Sequence, residues 1–188
     1  MKVGTRSILW GGHQFILHPI FVALAWRRLY GSWPNTWREW VGIVIHDWGY
    51  WGLGNMDGEE GQTHPHWATA QMAAWFDKGR RMGEECPLGL WAWFVAGHSR
   101  SYAALLQIPT SPLMRADKFA TAMMPQWLYV ALLWLSGEWI EYRDRWVAAG
   151  TYPGKPDDGI WAWSTHLQAN RSRFKDVNAV AGKAFGAE

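Results

Sequence analysis

Ile45-His46-Asp47-Trp48-Gly49-Tyr50 closes the apolar run that begins at Val41-Gly42-Ile43-Val44. An imidazole and a carboxylate stand side by side at the end of that run. Both are ligands for a divalent metal. One such dipeptide has little weight by itself. It gains weight because further nitrogen and oxygen ligands recur in or after other apolar runs: His18, His64, His98 and Asp117.

The segments around the pair read as helices. Thr36-x-x-Glu39 is a capping box that opens a helix through Trp40, Ile43 and Val44 to His46 and Asp47. Residues 15–30 carry Ile16, Ile20, Leu24 and Leu29 at near-helical spacing, and Gly31 is placed to stop them. After the pair come Gly49, Gly52, Gly54, Gly58 and Gly61, read as a mobile acidic loop with Asp57, Glu59 and Glu60. Thr63 and Pro65 suit the N-cap and first turn of a helix to about Lys78. A charged turn, 79–87, leads to an apolar helix from Leu88 to Gly97 and then to His98-Ser99-Arg100. Ser111-Pro112 opens the helix that carries Arg115-Ala116-Asp117-Lys118, and Pro125 breaks it. Gln126 to about Ala149 reads as one long helix, 151–159 as a loop and 160–176 as a helix, with the last dozen residues frayed. There is no strand alternation and no internal repeat.

The expectation is an all-α protein, a single helical bundle around a metal site. Residues 1–150 are expected to form this domain, and 151–188 to add a loop, a short helix and a frayed tail packed on it. A length of 188 residues suits one such domain. Bundle cores build metal sites from side chains that point inward from facing helices.

Composition narrows the function. A net charge of +2, from 18 basic and 16 acidic residues, argues against a broad nucleic-acid-binding surface. Lone Cys86 excludes an internal disulfide and a cysteine-based zinc site. The start, Met1-Lys2-Val3-Gly4-Thr5-Arg6-Ser7, leads to polar Gly-Gly-His-Gln, and Trp127–Leu135 is too short to span a bilayer. A cytoplasmic protein without a membrane span is expected. The 17 Trp suggest a bulky core, with aromatic walls for a base or ring as the sharper reading. Apolar surface on the long helix after Gln126 is read as core by default, with a homo-oligomer face as the alternative.

The ordered set resembles the HD-domain superfamily of metal-dependent phosphohydrolases over residues 13–124. His18 opens His-Pro-Ile-Phe-Val-Ala-Leu-Ala, similar to that family's first-helix pattern. His46-Asp47 resembles its name-giving pair, and Asp117, in Ala-Asp-Lys-Phe-Ala, resembles its closing aspartate. Two-metal members add two histidines between these, and His64-Pro65 and His98 are similar to those. The resemblance implies a dinuclear site with His18, His46, Asp47, His64, His98 and Asp117 as ligands and Asp47 bridging. Nitrogen and carboxylate ligands suit divalent Fe, Mn, Co, Zn or Mg, and the resemblance implies a pair of ions. His13 is an alternative to His18. His66 is an alternative to His64, or a contact for substrate.

A metal acidifies bound water and clamps a phosphate oxygen, which is the chemistry of phosphate-ester hydrolysis. The expected substrate is a nucleotide or another small phosphorylated molecule. Arg100, two residues past His98, and Lys118, directly after Asp117, are cations close in sequence to ligands and suited to phosphoryl charge in both binding and catalysis. Asp57 and Glu60 are candidates for general acid or base. Tyr50, Trp51 and His66 are candidates for substrate contact, and Trp48 and Trp67 for stacking. Three residues after the Asp of the pair, where many two-metal relatives place Lys, this chain has Tyr50. A phenol brings no charge at neutral pH. His98-Ser99-Arg100-Ser101-Tyr102 lacks the Gly-Tyr-Pro signature of the cyclic-dinucleotide branch. A mixed-valent di-iron oxygenase that cleaves a C–C or C–P bond with O₂ is therefore the second expectation.

Overall fold

The computed structural model describes residues 1–79, 81–83 and 86–172, and the side chains of that range up to Leu167. The expected frayed tail and the end of the expected 160–176 helix lie outside the described residues. Among the described residues the secondary structure is helical and contains no strand.

Five helices surround the main core. α1 is Val3–Trp10, α2 Leu17–Tyr30, α3 Trp37–Ile45, α4 Glu59–Gln62 and α5 Pro65–Met72; α6 is Leu90–Ala96, α7 Arg100–Leu105 and α8 Pro112–Met123. The core joins Val22 and Trp26 of α2, Ile43 of α3, Met72 of α5, Phe94 of α6 and Leu113 of α8. These are the helices that carry or border the ligand residues, so one apolar cluster sets their relative positions. Burial of each such side chain contributes roughly 1.5–3 kcal/mol.

Local signals place several helix ends. At α3 the capping box is complete: Thr36 Oγ1 accepts from Glu39 N at 3.2 Å, and Glu39 Oε2 accepts from Thr36 N at 2.7 Å. Gly31 ends α2. The first turn of α6 is capped from a distance, because buried Asp77 accepts from Trp91 N at 3.1 Å and Ala92 N at 2.9 Å. That carboxylate satisfies amides which a helix start otherwise leaves without partners.

Four features differ from the sequence expectation. α1 is unforeseen: its eight residues include Thr5, Arg6 and Ser7, and it buries Gly4, Ser7 and Ile8. α7 directly follows His98-Ser99. The expected long helix is two, α9 Gln126–Ser136 and α10 Glu138–Ala148, because Gly137 adopts the left-handed conformation at φ 83°. The acidic loop is hydrogen-bonded rather than free: Glu141 accepts from Met56 N at 2.7 Å, and Arg145 pairs with Asp57 at 2.8 Å.

α11 runs Ile160–Ser172, and its Trp163 is fully buried against Tyr129 and Leu133 of α9. The opposite side of α9 is not core, since Trp127 and Trp134 stand exposed. Among the described residues no single helix is long and apolar enough to cross a membrane.

Candidate metal centre

Five of the six candidate ligand residues lie at a helix end or in a first turn, and the sixth, Asp117, lies inside a helix. His18 sits in the first turn of α2, and His46 is the residue on which α3 ends. Asp47 opens the short 3-10 turn Trp48–Tyr50. His64 precedes α5, His98 follows α6, and Asp117 lies inside α8. All six are buried.

They form two groups that share one residue. The first holds His18, His46, Asp47 and Asp117; the second holds Asp47, His64 and His98. Asp47 Oδ2 lies 3.2 Å from His18 Nε2 and 3.1 Å from His46 Nε2. Asp47 Oδ1 lies 3.4 Å from the Nε2 atoms of both His64 and His98. Asp117 Oδ1 lies 3.1 Å from His18 Nε2. One carboxylate thus turns one oxygen to each group. Neither His13 nor His66 belongs to either.

Three imidazoles have their tautomer set by backbone. Nδ1 of His46 meets the Ile43 carbonyl at 2.8 Å, Nδ1 of His64 the Gly61 carbonyl at 2.7 Å, and Nδ1 of His98 the Val95 carbonyl. A carbonyl only accepts, so each Nδ1 carries the hydrogen and each Nε2 turns its other face to the cluster. This is the arrangement in which metal-bound histidines are held.

The charges fit a cation. Burial favours the neutral forms of His64 and His98 and lowers His64 to about 4. Burial also opposes charge on His46, but Asp47 and Asp117 outweigh it and raise His46 to about 10. Burial works against ionised Asp47, yet the facing imidazoles hold its carboxyl well below the usual range. For Asp117 the opposing groups are Lys118, at 3.1 Å, and His18 and His46. Two buried carboxylates thus draw positive charge inward, and no contact to Asp47 Oδ2 has the geometry of a well-aligned hydrogen bond. Protons on imidazole answer that demand in part, and a divalent ion on nitrogen and oxygen ligands answers it in full. The residues present therefore fit divalent metal.

The groups open onto a cavity of about 460 Å³, whose wall includes His13, Tyr50, Asp57, Arg100, Lys118 and Arg145. Tyr50 stacks on His64, with ring centroids 3.9 Å apart and planes 14° apart. Gly49 makes the turn fit: a Cβ there would run into the His64 carbonyl.

Other sequence candidates lie elsewhere. Glu60 accepts from Gly54 N at 2.8 Å and is absent from the cavity wall. His66 is exposed, with Nδ1 3.0 Å from the Tyr102 hydroxyl. Trp48, Trp51 and Trp67 line a separate apolar cavity of about 570 Å³, together with Ile8, Leu9 and Phe15. Sequence reading did not single out Arg145, which no motif marks. It also missed Glu138, whose buried carboxylate lies 3.1 Å from His13 Nδ1.

No protein-family model, curated protein or solved structure matches the chain. The site's own geometry is compatible with an HD-type metal centre.

Proposed function

We propose that this chain is a metal-dependent phosphohydrolase acting on a small phosphate ester, a nucleotide among the candidates. The observation that carries the reading is Asp47, shared between two buried ligand groups beside a wall of cations. His18, His46 and Asp117 would hold one ion, His64 and His98 the other, and Asp47 both. When bound, such a pair acidifies water and polarises phosphoryl oxygens.

The remaining roles belong to the cavity wall. Arg100 and Lys118 offset charge that grows on the phosphoryl oxygens as the new P–O bond forms and the ester P–O bond breaks. Lys118 also pairs with Asp117 Oδ2, which steadies that ligand. Asp57, held by Arg145, is the wall carboxylate outside the ligand groups. It is suited to move a proton between water and the departing ester oxygen. Tyr50 keeps the His64 ring in place.

The test is metal analysis of protein purified without chelator, followed by a screen of nucleotides and phosphomonoesters with Mn²⁺, Co²⁺ and Fe²⁺. Phosphate release that His46→Ala and Asp47→Ala abolish supports the reading. Bound iron with O₂ consumption and no phosphate release would replace it with the oxygenase reading.

A further inference from the structure

We propose that His13 contacts the phosphoryl group in the metal cavity and that Glu138 positions it. The identity of the anion rests on the phosphohydrolase reading; the dyad itself rests on the following geometry.

Glu138 is fully buried at the start of α10. Its carboxylate accepts from Gly12 N at 2.8 Å, Ser136 Oγ at 2.7 Å and the Tyr142 hydroxyl at 3.1 Å. His13 Nδ1 completes the set at 3.1 Å, with Ser7 Oγ also 3.0 Å from that nitrogen. Room for the carboxylate depends on two glycines. A Cβ at Gly11 would run into Glu138 Oε1, and one at Gly12 would lie 3.1 Å from Oε2.

A buried carboxylate with its partners drawn from distant segments stabilises a fold little compared with apolar packing of the same volume. Its effect here is on His13. A carboxylate only accepts, so Nδ1 carries the hydrogen it shares with Glu138. Nε2 is the ring nitrogen left to meet a bound molecule. His13 borders the cavity that contains Asp47, His64 and Asp117, yet it belongs to neither ligand group. An imidazole oriented by a buried carboxylate, beside a metal site but not in it, is placed to donate to a substrate oxyanion.

Inorganic phosphate is the probe, with binding to the Mn²⁺-loaded protein measured by calorimetry alongside Mn²⁺ content and thermal melting. His13→Ala is expected to weaken phosphate binding by about tenfold or more, the scale of one charge-assisted hydrogen bond, with Mn²⁺ content unchanged. His13→Gln, which keeps a donor, should recover part of the loss. Glu138→Gln should weaken binding too, and the double variant His13→Ala/Glu138→Gln should bind no worse than His13→Ala. If Glu138→Gln does not fold, the two His13 variants carry the test. Equal phosphate binding by wild type and His13→Ala overturns the inference and leaves the phosphohydrolase reading standing. Loss of Mn²⁺ from His13→Ala also overturns it, since His13 would then serve the metal. No phosphate binding by the Mn²⁺-loaded wild type overturns both.

Discussion

His64 and His98 face each other through Nε2 atoms 3.0 Å apart, with the same oxygen of Asp47 3.4 Å from each. Both Nδ1 hydrogens are committed to backbone carbonyls, and burial favours both neutral rings. Two lone pairs and a carboxylate oxygen therefore converge. Such groups repel one another unless a cation lies among them.

Asp47 is the residue both groups need. Asp47→Ala is expected to remove nearly all metal, whereas His64→Ala should remove about half, because only one group loses a ligand. Metal stoichiometry by mass spectrometry reads the difference. Equal losses from the two variants would mean that one ion spans both groups.

Acid should empty the two groups in order. His46 is raised to about 10, so metal entering its group displaces a proton throughout the neutral range. Affinity there is expected to fall about tenfold per pH unit as the pH drops. His64, at about 4, holds no proton to displace until the medium is strongly acidic. A metal titration between pH 8 and 5 should show one site weakening and one holding.

The metal-free protein should respond to alkali. His13 is raised from 6.5 to about 9: burial opposes its charge, but Asp47 and Glu138 outweigh burial. A raised pKa contributes stability that is complete below 6.5 and is lost as the pH climbs through 9. The Tm of chelated protein is expected to fall by a few degrees, about the effect of 1–2 kcal/mol, between pH 7 and 10. His13→Ala should fall less over the same range.

Gly49 lets the Asp47 turn lie against the backbone of His64. Gly49→Ala must push the two apart, at a cost of about 1–3 kcal/mol typical of overpacking. Thermal melting and metal content should drop together. Unchanged values for both would show that the turn shifts freely.

Tyr50 tests whether stacking or the hydroxyl serves the site. Tyr50→Phe keeps the ring on His64 and should keep the metal. Tyr50→Ala should cost about 3–5 kcal/mol of stability and loosen His64. Metal lost from Tyr50→Phe would assign the role to the phenol.

The residue types of the site and their helical setting were legible from short-range signals. The Thr36–Glu39 capping box, the Pro at the start of α8 and the apolar runs before His46 and His98 each act within a few residues. That is why the all-α class, and the six His and Asp residues that the structure brings together, were legible in the sequence. The aromatic residues near the pair were harder to assign. The turn Trp48–Tyr50 sends Tyr50 to the metal cavity and Trp48 to the apolar one, and neighbours in sequence part company there.

By itself the sequence determined which side chains were available to bind metal and which helices would present them, because caps, breakers and periodicity are local. Only the tertiary structure decided how the ligands divide, with one oxygen of Asp47 for each group. It also decided that Gly137 splits a helix and brings Glu138 to Gly12 and His13, and that Arg145 reaches Asp57. Those pairings join residues up to 126 positions apart. No local pattern encodes such meetings, because they follow from how the apolar faces of whole helices pack around shared cores.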